Sequence, residues 1–225
     1  MKTKNIVPLF LLLCFATFIT PAKAQDKQEE KIAASTSVLQ DFNLMKEDIP
    51  AELLKVAHGI IVVPKLINAG FVLAGKRGKG LAMVKLEDGS WSNPVFVTIT
   101  GGSIGFQAGV QSIDLVLIFK NAETLQDIGK GSFTLGGDIS VAAGPVGRSS
   151  TASTDYKMEA EVYSYSKCKG LFAGISLSGS AISIDQKANE AFYKNDEDAK
   201  TLFSDVNYDS EAVDRLKLSL KEMYK

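Results

Sequence analysis

The alternation of residue types from Ile104 to Gln111 constrains the fold more than any other feature of this sequence. Four apolar residues alternate there with two glycines and two glutamines, so an extended strand places every apolar side chain on one face. Glycine weakens a strand unless another backbone or a ligand must come close to it. The opposite face, with Gln107 and Gln111, is therefore either the close-packed interior of a barrel or sandwich or a surface that faces a ligand. Dedicated sites are rare, which favours packing.

The first 24 residues are typical of a secretory signal peptide. A positively charged start precedes an apolar run over residues 6–20 that is too short to span a bilayer, and Ala22 and Ala24 match a small-residue cleavage site. Cleavage after Ala24 predicts export, with the periplasm as the expected location. The mature chain, residues 25–225, contains no apolar run long enough for a transmembrane helix.

Charge and cysteine content bear on the remaining function classes. The chain carries 25 Lys and Arg against 26 Asp and Glu, which does not supply the basic footprint that general nucleic-acid binding requires. Of the two cysteines, only Cys168 follows the predicted cleavage point, so no internal disulfide is expected. The fold must therefore be held by packing.

The clearest charge signal lies in residues 71–86, where four basic residues occur without an acid. Three of them, Lys76, Arg77 and Lys79, are crowded into the glycine-rich segment 75–80, which predicts a β-hairpin with a basic tip. Backbone N–H groups exposed at glycines, together with the three cations, suit an anionic head group or a phosphate. The spacing does not match a P-loop. A solvated hairpin tip without a ligand is the alternative.

The rest of the pattern predicts a mixed α and β domain. The helix predicted over residues 26–57, in two pieces, carries more acids than bases, so it is expected to pack on the domain instead of lying on a membrane. Strands are predicted over residues 59–64, 113–119, 136–148, 159–168 and 170–185, the last with a β-bulge at Gly179. Helices are predicted over 122–128, with Asn121 as the N-cap, and over 188–193 and 197–224. The last helix has one apolar stripe, formed by Val213, Leu216, Leu220 and Met223. We expect an α+β fold in which a strongly curved, largely antiparallel, glycine-rich β-sheet or barrel is flanked by N- and C-terminal helices.

Short motifs follow one another in a specific order between about residues 34 and 194. They include Gly59-Ile60, Gly78-Lys79-Gly80, Trp91-Ser92-Asn93-Pro94, the glycine-rich run over 101–109, Ala142-Ala143-Gly144-Pro145, Tyr163-Ser164-Tyr165-Ser166 and Lys169-Gly170-Leu171-Phe172-Ala173-Gly174. Together these motifs resemble the SYLF domain. The resemblance implies a single domain over residues 25–225, with a C-terminal helical extension over 195–225.

The resemblance also implies a non-catalytic lipid-binding protein that acts at a membrane surface. Eukaryotic proteins with this domain bind phosphoinositides and some bind actin, but the actin role is not expected to transfer to an exported chain. Cations near an anionic surface contribute about 1 kcal/mol each, so an apolar contact is expected to assist them. The implied head-group contacts are Lys76, Arg77 and Lys79, then Lys167 and Lys169, with Phe71 or Phe172 as the apolar contact.

Two other functional classes remain open at this point. One is a structural or interaction protein of the envelope that binds another protein or a glycan through its edge strands or glycine-rich face. The other is a hydrolase that uses two carboxylates, for which Asp114 and Asp138 are candidates. His58 is the only histidine, and no metal-ligand spacing or catalytic motif accompanies it, so neither enzymatic activity nor a cofactor is expected.

Overall fold

The computed structural model describes residues 21–44, 49–70, 73–104, 109–144, 159–168, 171–172, 175–195, 199–204 and 208–223. Most of the predicted signal peptide lies outside these residues. The helices are α1 (Pro21–Asn43), α2 (Ala51–Lys55), α3 (Ala122–Gln126), α4 (Gln186–Tyr193), α5 (Ala199–Leu202) and α6 (Glu211–Glu222), with a 3-10 turn over Asp127–Lys130. The predicted cleavage point after Ala24 falls near the start of α1.

A single curved sheet forms the centre of the described structure. Its strands are β1 (Gly59–Gly70), β2 (Leu73–Val84), β3 (Val95–Ile104), β4 (Gly109–Phe119), β5 (Phe133–Leu135), β6 (Val141–Ala143), β7 (Val162–Cys168), β8 (Leu171–Phe172) and β9 (Ser180–Ile184). The order across the sheet is β5-β9-β3-β2-β1-β4-β7-β6, and β8 pairs with β7. Among these pairs only β6 and β7 are parallel. The predicted fold class, a curved and nearly closed antiparallel sheet with helices at both ends, is confirmed.

The two faces of the sheet are buried in different ways. On the face that we call inner, Ile99 of β3 lies opposite Ile182 of β9 and both are fully buried. Further round the same face, the rings of Phe119 and Phe133 meet edge to face with centroids 6.2 Å apart. On the outer face, Phe96 of β3 meets Phe192 of α4 at 5.4 Å. Helix α4 therefore packs on the outer face. The curved sheet encloses the inner core, to which Leu125 of α3 also contributes beside Gly59.

Helices α1 and α6 bury one apolar stripe each. Ile32 and Leu39 of α1 are fully buried, which confirms that the N-terminal helix packs on the domain. The predicted C-terminal stripe is also confirmed, because Val213, Leu216, Leu220 and Met223 are all buried. Gln40 of α1 donates a hydrogen bond to Ser219 of α6 at 3.4 Å. The two ends of the described chain are thus packed together on the outer face of the sheet.

The predicted basic hairpin tip over residues 75–80 is wrong. Strand β2 runs without interruption from Leu73 to Val84, so the basic segment lies in the middle of a strand. Its glycines serve packing, because a Cβ on Gly80 would lie 2.2 Å from the carbonyl oxygen of Val62, and one on Gly78 would lie 2.6 Å from Cγ1 of Val63. Glycine is required there by the neighbouring strand.

The predicted strand over residues 104–111 is also wrong as a single strand. Ile104 ends β3 opposite Leu73, whereas Gly109 begins β4 opposite Gly70. Strands β1 and β2 lie between them in the sheet, so one extended strand cannot contain both ends. Residues 105–108, including Gln107, lie outside the described residues. Alternation alone did not reveal that the chain changes position in the sheet within this stretch.

Glycines and a β-bulge account for the other differences between the predicted and the observed strands. Gly179 has φ +76° and lies in a turn before β9, where a bulge was expected, and the predicted strand over residues 136–148 opens with a turn at Gly136, also at φ +76°. A bulge does occur in β1, where Lys65 has φ +55° and its N–H donates to Asp114 at 3.0 Å. Strand β1 thus continues past Pro64, where a strand end was predicted.

The predicted N-cap is confirmed, because Asn121 accepts a hydrogen bond from Glu123 N at 2.9 Å.

Candidate functional site

Strand β2 divides the three predicted head-group residues between the two faces of the sheet. Neighbouring side chains in a strand point in opposite directions, so Lys76 lies on the inner face while Arg77 and Lys79 lie on the outer one. Lys76 is only 4% exposed, and its ammonium donates to the backbone carbonyl of Ser176. Burial lowers the pKa of Lys76 below its ordinary value. Lys76 therefore does not share a surface with Arg77 and Lys79, the two cations that follow it in the strand.

The two outer cations differ in their partners. Lys79 forms an ion pair with Asp185, the residue that precedes α4, at 2.6 Å, and its side chain is 50% exposed. Arg77 lies opposite Ile67 of β1 and Thr100 of β3, is exposed, and forms no ion pair within the described part of the chain. Arg77 is thus the less neutralised of the two charges on this face.

Three further lysines lie near Lys79. Lys27 and Lys31 project from α1, and Lys65 occupies the bulge in β1. Partial burial lowers the pKa of Lys31, and the positive charges of Lys79, Lys65 and Lys27 lower it further. A lysine whose pKa is lowered by three other lysines lies in a region of positive potential. We refer to Lys27, Lys31, Lys65, Arg77 and Lys79 as the basic face.

A cleft of about 280 Å³ between α1, β2 and α4 opens beside this surface, with Lys27, Lys31, Lys79 and Lys187 in its lining. Sequence reasoning missed the contribution of α1, because the helix was judged by its excess of acids. The spacing of Lys27 and Lys31 was the available signal, since residues four apart lie on the same side of a helix.

Exposed apolar side chains lie at the end of the same outer face. Ile67 is opposite Arg77 and is 42% exposed, and Val110, opposite Ala69, is 74% exposed. Of the two expected apolar contacts, Phe71 lies outside the described residues, and so does the side chain of Phe172. The outer face thus carries charge beside α1 and exposed aliphatic groups toward the C-terminal end of β1.

The second predicted lysine pair is only partly described. Lys167 of β7 forms an ion pair with Asp41 of α1 at 2.7 Å, and its side chain is 12% exposed. Lys169 lies outside the described residues. Gln111 is exposed on β4, while Gln107, its predicted neighbour on the strand, is not described. The ion pair with Asp41 gives Lys167 a role in fastening α1 to the sheet.

The candidate catalytic groups serve local structure. Asp114 accepts the N–H of Lys65, and Asp138 accepts the N–H of Thr134 at 2.8 Å. His58 is exposed, with its Nδ1 3.0 Å from the carbonyl oxygen of Val56. Among the described residues, no group of three or more His, Cys, Asp or Glu side chains is arranged to hold a metal ion. None of the helices found in those same residues combines the length and the apolar character needed to cross a bilayer.

Comparison with known proteins identifies the family. The family described as Ysc84, Las17-binding protein actin regulator, matches residues 100–223. This chain belongs to the Ysc84 family. The resemblance to the SYLF domain is thereby confirmed. The matched residues include every described strand from β4 to β9 and all helices from α3 to α6.

Individual relatives of the Ysc84 family extend the match toward the N-terminus. LAS seventeen-binding protein 3 of Saccharomyces cerevisiae is 36% identical over 197 residues, which are 86% of this chain and 43% of the yeast protein. SH3 domain-containing YSC84-like protein 1 of Bos taurus is 34% identical over 194 residues, which are 85% of this chain and 57% of the bovine protein. The chain therefore spans about half the length of these relatives.

Proposed function

We propose that this Ysc84-family chain binds anionic phospholipid at a membrane surface, without catalysis, through the basic face. The observation that carries the proposal is the concentration of lysines around Lys31, which lines a cleft with Lys27 and Lys79. Burial lowers the pKa of Lys31, and the charges of Lys79, Lys65 and Lys27 lower it further. Exposed Ile67 and Val110 lie on the same face and can enter the interfacial region of a bilayer. Lys76 is not part of this surface, because it points into the sheet interior.

The expected affinity is that of a protein that binds a membrane surface reversibly. Lys27, Lys31, Lys65 and Arg77 form no ion pair within the described residues, and each contributes about 1 kcal/mol near an anionic leaflet. A total of about 4 kcal/mol corresponds to a dissociation constant of roughly 1 mM. The aliphatic side chains at the end of the face must therefore add to the electrostatic attraction, and salt must weaken the complex.

The sequence supports a further proposal about location. We propose that residues 1–24 are a signal peptide and that the mature chain acts in the periplasm. Cleavage after Ala24 leaves Lys27, Lys31 and the remainder of the basic face intact. Mass spectrometry of the protein recovered from a periplasmic fraction tests this proposal, since it predicts a chain that begins at Gln25. Recovery only from the cytoplasmic fraction, with Met1 retained, would contradict it.

Sedimentation with lipid vesicles tests the lipid proposal directly. The mature chain is mixed with phosphatidylcholine vesicles, with and without phosphatidylglycerol, at low and at high salt. We expect sedimentation only with phosphatidylglycerol, and loss of it at high salt. The double variant Arg77→Glu, Lys27→Glu should bind at least tenfold more weakly, since each reversal replaces attraction by repulsion. Absence of binding to phosphatidylglycerol vesicles by the unmodified chain would overturn the proposal.

A matched control separates the basic face from total charge. Lys55 on α2 and Lys221 on α6 are exposed and lie outside the basic face. The double variant Lys55→Glu, Lys221→Glu changes the net charge by the same amount. We expect it to keep most of its binding, because charges beyond a Debye length contribute little. Equal weakening of both double variants would mean that net charge, and not this surface, drives sedimentation.

The second candidate function is binding of a protein partner. The family description favours it, because it names Las17 binding and actin regulation. The yeast relative also carries Las17 binding in its name. Since this chain covers about half of such relatives, their partners are not assigned to it here. Sedimentation with actin filaments under the same conditions separates the two candidates. Filament binding without vesicle binding would replace the lipid proposal by a protein partner.

A further inference from the structure

A row of polar residues crosses the inner face of the sheet at the level of Lys76. In the strand register, Asn68 of β1 lies opposite Lys76, Lys76 lies opposite Gly101 of β3, and Gly101 lies opposite Ser180 of β9. Residues directly opposite one another in adjacent strands share a face of the sheet. The side chains of Asn68, Lys76 and Ser180 therefore lie on the inner face in one line, with a glycine between the last two.

The polar atoms in this row have unused hydrogen-bonding capacity. Ser180 is fully buried, and neither its hydroxyl nor the buried Oδ1 of Asn68 has a hydrogen-bond partner among the described residues. Lys76 is 4% exposed, and its ammonium, which has three N–H donors, makes one described hydrogen bond, to Ser176. Buried polar atoms without partners are rare in native proteins. Two of them in the same row as a buried cation require an explanation.

A purely structural polar layer does not supply that explanation. The neighbouring layer of the inner face is apolar, with Leu66, Ile99 and Ile182 all fully buried, and it needs no polar cover. If the polar residues served only to close the apolar core, their side chains would form hydrogen bonds with one another. Here Ser180 leans over Gly101, where a Cβ would lie 2.6 Å from the serine Oγ, yet this hydroxyl forms no hydrogen bond within the part of the chain that the structure describes.

We infer that the row formed by Asn68, Lys76 and Ser180 is a binding site for a compact oxyanion, a carboxylate or phosphate group. The ammonium of Lys76 supplies the positive charge and its remaining N–H donors, and the hydroxyl of Ser180 donates a second hydrogen bond. Asn68 lies three strand spacings, or about 14 Å, from Ser180 along the row, so its amide contacts a polar group elsewhere on the ligand and not the same oxyanion. The site lies on the opposite side of the sheet from the basic face, so it does not depend on the proposed membrane binding.

NMR of a chain with ¹³C-labelled lysine tests the inference. Phosphate and acetate are titrated separately at constant ionic strength with chloride as the balancing anion, and the Lys76 ε-methylene signal is assigned by its loss in Lys76→Met. We expect a saturable shift of this signal with phosphate, acetate or both, and no saturable shift of Lys55. Dihexanoyl phosphatidylglycerol, present as monomers, forms a separate arm. A shift with this lipid alone identifies a lipid head group as the anion, whereas a shift with phosphate or acetate identifies a free anion.

Serine variants provide the matched comparison. Ser180→Ala removes one proposed donor, and we expect at least fivefold weaker binding of the anion that shifts the Lys76 signal. Ser183→Ala is the control, because Ser183 lies on the same strand but, three residues away, faces the other side of the sheet. We also expect Arg77→Glu to leave the Lys76 shift intact. The inference is wrong if none of the three probes gives a saturable Lys76 shift, or if Ser180→Ala binds as tightly as the unmodified chain.

Discussion

The two faces of strand β2 make opposite use of one short basic segment. On the inner face, Lys76 is buried, and Gly78 and Gly80 have no room for a side chain. On the outer face, Arg77 and Lys79 are exposed beside the lysines of α1 and β1. The difference shows that the charge of a segment and the direction of its side chains are separate properties. A strand that looks like one basic site in the sequence contributes to two surfaces.

The largest expected effect is the loss of stability when a glycine on the inner face of β2 is replaced. Gly80→Ala places a Cβ 2.2 Å from the backbone oxygen of Val62, which cannot move without breaking the pairing of β1 with β2. We expect the free energy of unfolding to fall by about 3 kcal/mol or more. Urea denaturation provides the measurement.

Gly75 of the same strand is the control for this substitution. A Cβ on Gly75 meets no atom within 4 Å. Gly75→Ala should leave the free energy of unfolding unchanged to within about 0.5 kcal/mol, or raise it, because alanine restricts the unfolded chain. Equal losses in the two variants would mean that the faces of β2 are not distinguished by packing.

The second prediction concerns the buried charge of Lys76. Replacement by methionine, which has a similar length and no charge, should keep or raise the free energy of unfolding at pH 7, by about 1 kcal/mol. The pKa of Lys76 is lowered by burial in the folded state. Between this lowered pKa and the ordinary lysine pKa, the unfolded chain binds more protons, so the contribution of Lys76 to stability improves as pH rises.

Denaturation of both proteins from pH 7 to pH 10 measures that contribution as a difference. Other groups oppose it, since burial raises the pKa of Tyr165 well above its usual range and favours unfolding at high pH. The contribution of Tyr165 to the pH dependence of stability is the same in both proteins, so it cancels in the difference. We expect the advantage of Lys76→Met to shrink as pH rises. An advantage that does not change with pH would contradict a buried ammonium at this position.

Much of the fold follows from local pattern, but the placement of the basic segment does not. The apolar stripe of α6 and the N-cap at Asn121 depend on neighbours within a few residues, so the sequence predicts them. Glycines at 78 and 80 suit a turn or a close approach of strands equally well. Only the pairing of β2 with β1 and β3 decides between the two, and that pairing is not encoded locally.

The candidate site was only partly predictable for the same reason. Arg77 and Lys79 were identified from their charge alone, whereas Lys27 and Lys31 join them through packing of α1 on the sheet. Lys65 joins them because the bulge in β1 is held by Asp114, 49 residues further along the chain. Each of these contacts brings together segments far apart in sequence, so spacing within a motif gives no signal of them.

The third prediction tests the aliphatic end of the outer face. Val110→Ser removes apolar surface from a side chain that is 74% exposed, so we expect little change in folding. Vesicle affinity should fall about fivefold, which corresponds to roughly 1 kcal/mol of lost apolar burial in the interface. Leu218→Ser on α6 is the control, since Leu218 is also exposed and lies away from this face. Sedimentation with phosphatidylglycerol vesicles that is equally weakened by both changes would remove Val110 from the proposed surface.

The smallest expected effect concerns Lys31, where stability and binding should move in opposite directions. The folded state lowers the pKa of Lys31 through burial and three neighbouring lysines, so its charge opposes folding at neutral pH. Lys31→Gln should therefore raise the free energy of unfolding by a few tenths of a kcal/mol, or about 1 °C in melting temperature. The same variant should bind phosphatidylglycerol vesicles about fivefold more weakly. A variant that is both less stable and unchanged in binding would show that Lys31 supports the fold, and that the positive potential beside α1 is not kept for a ligand.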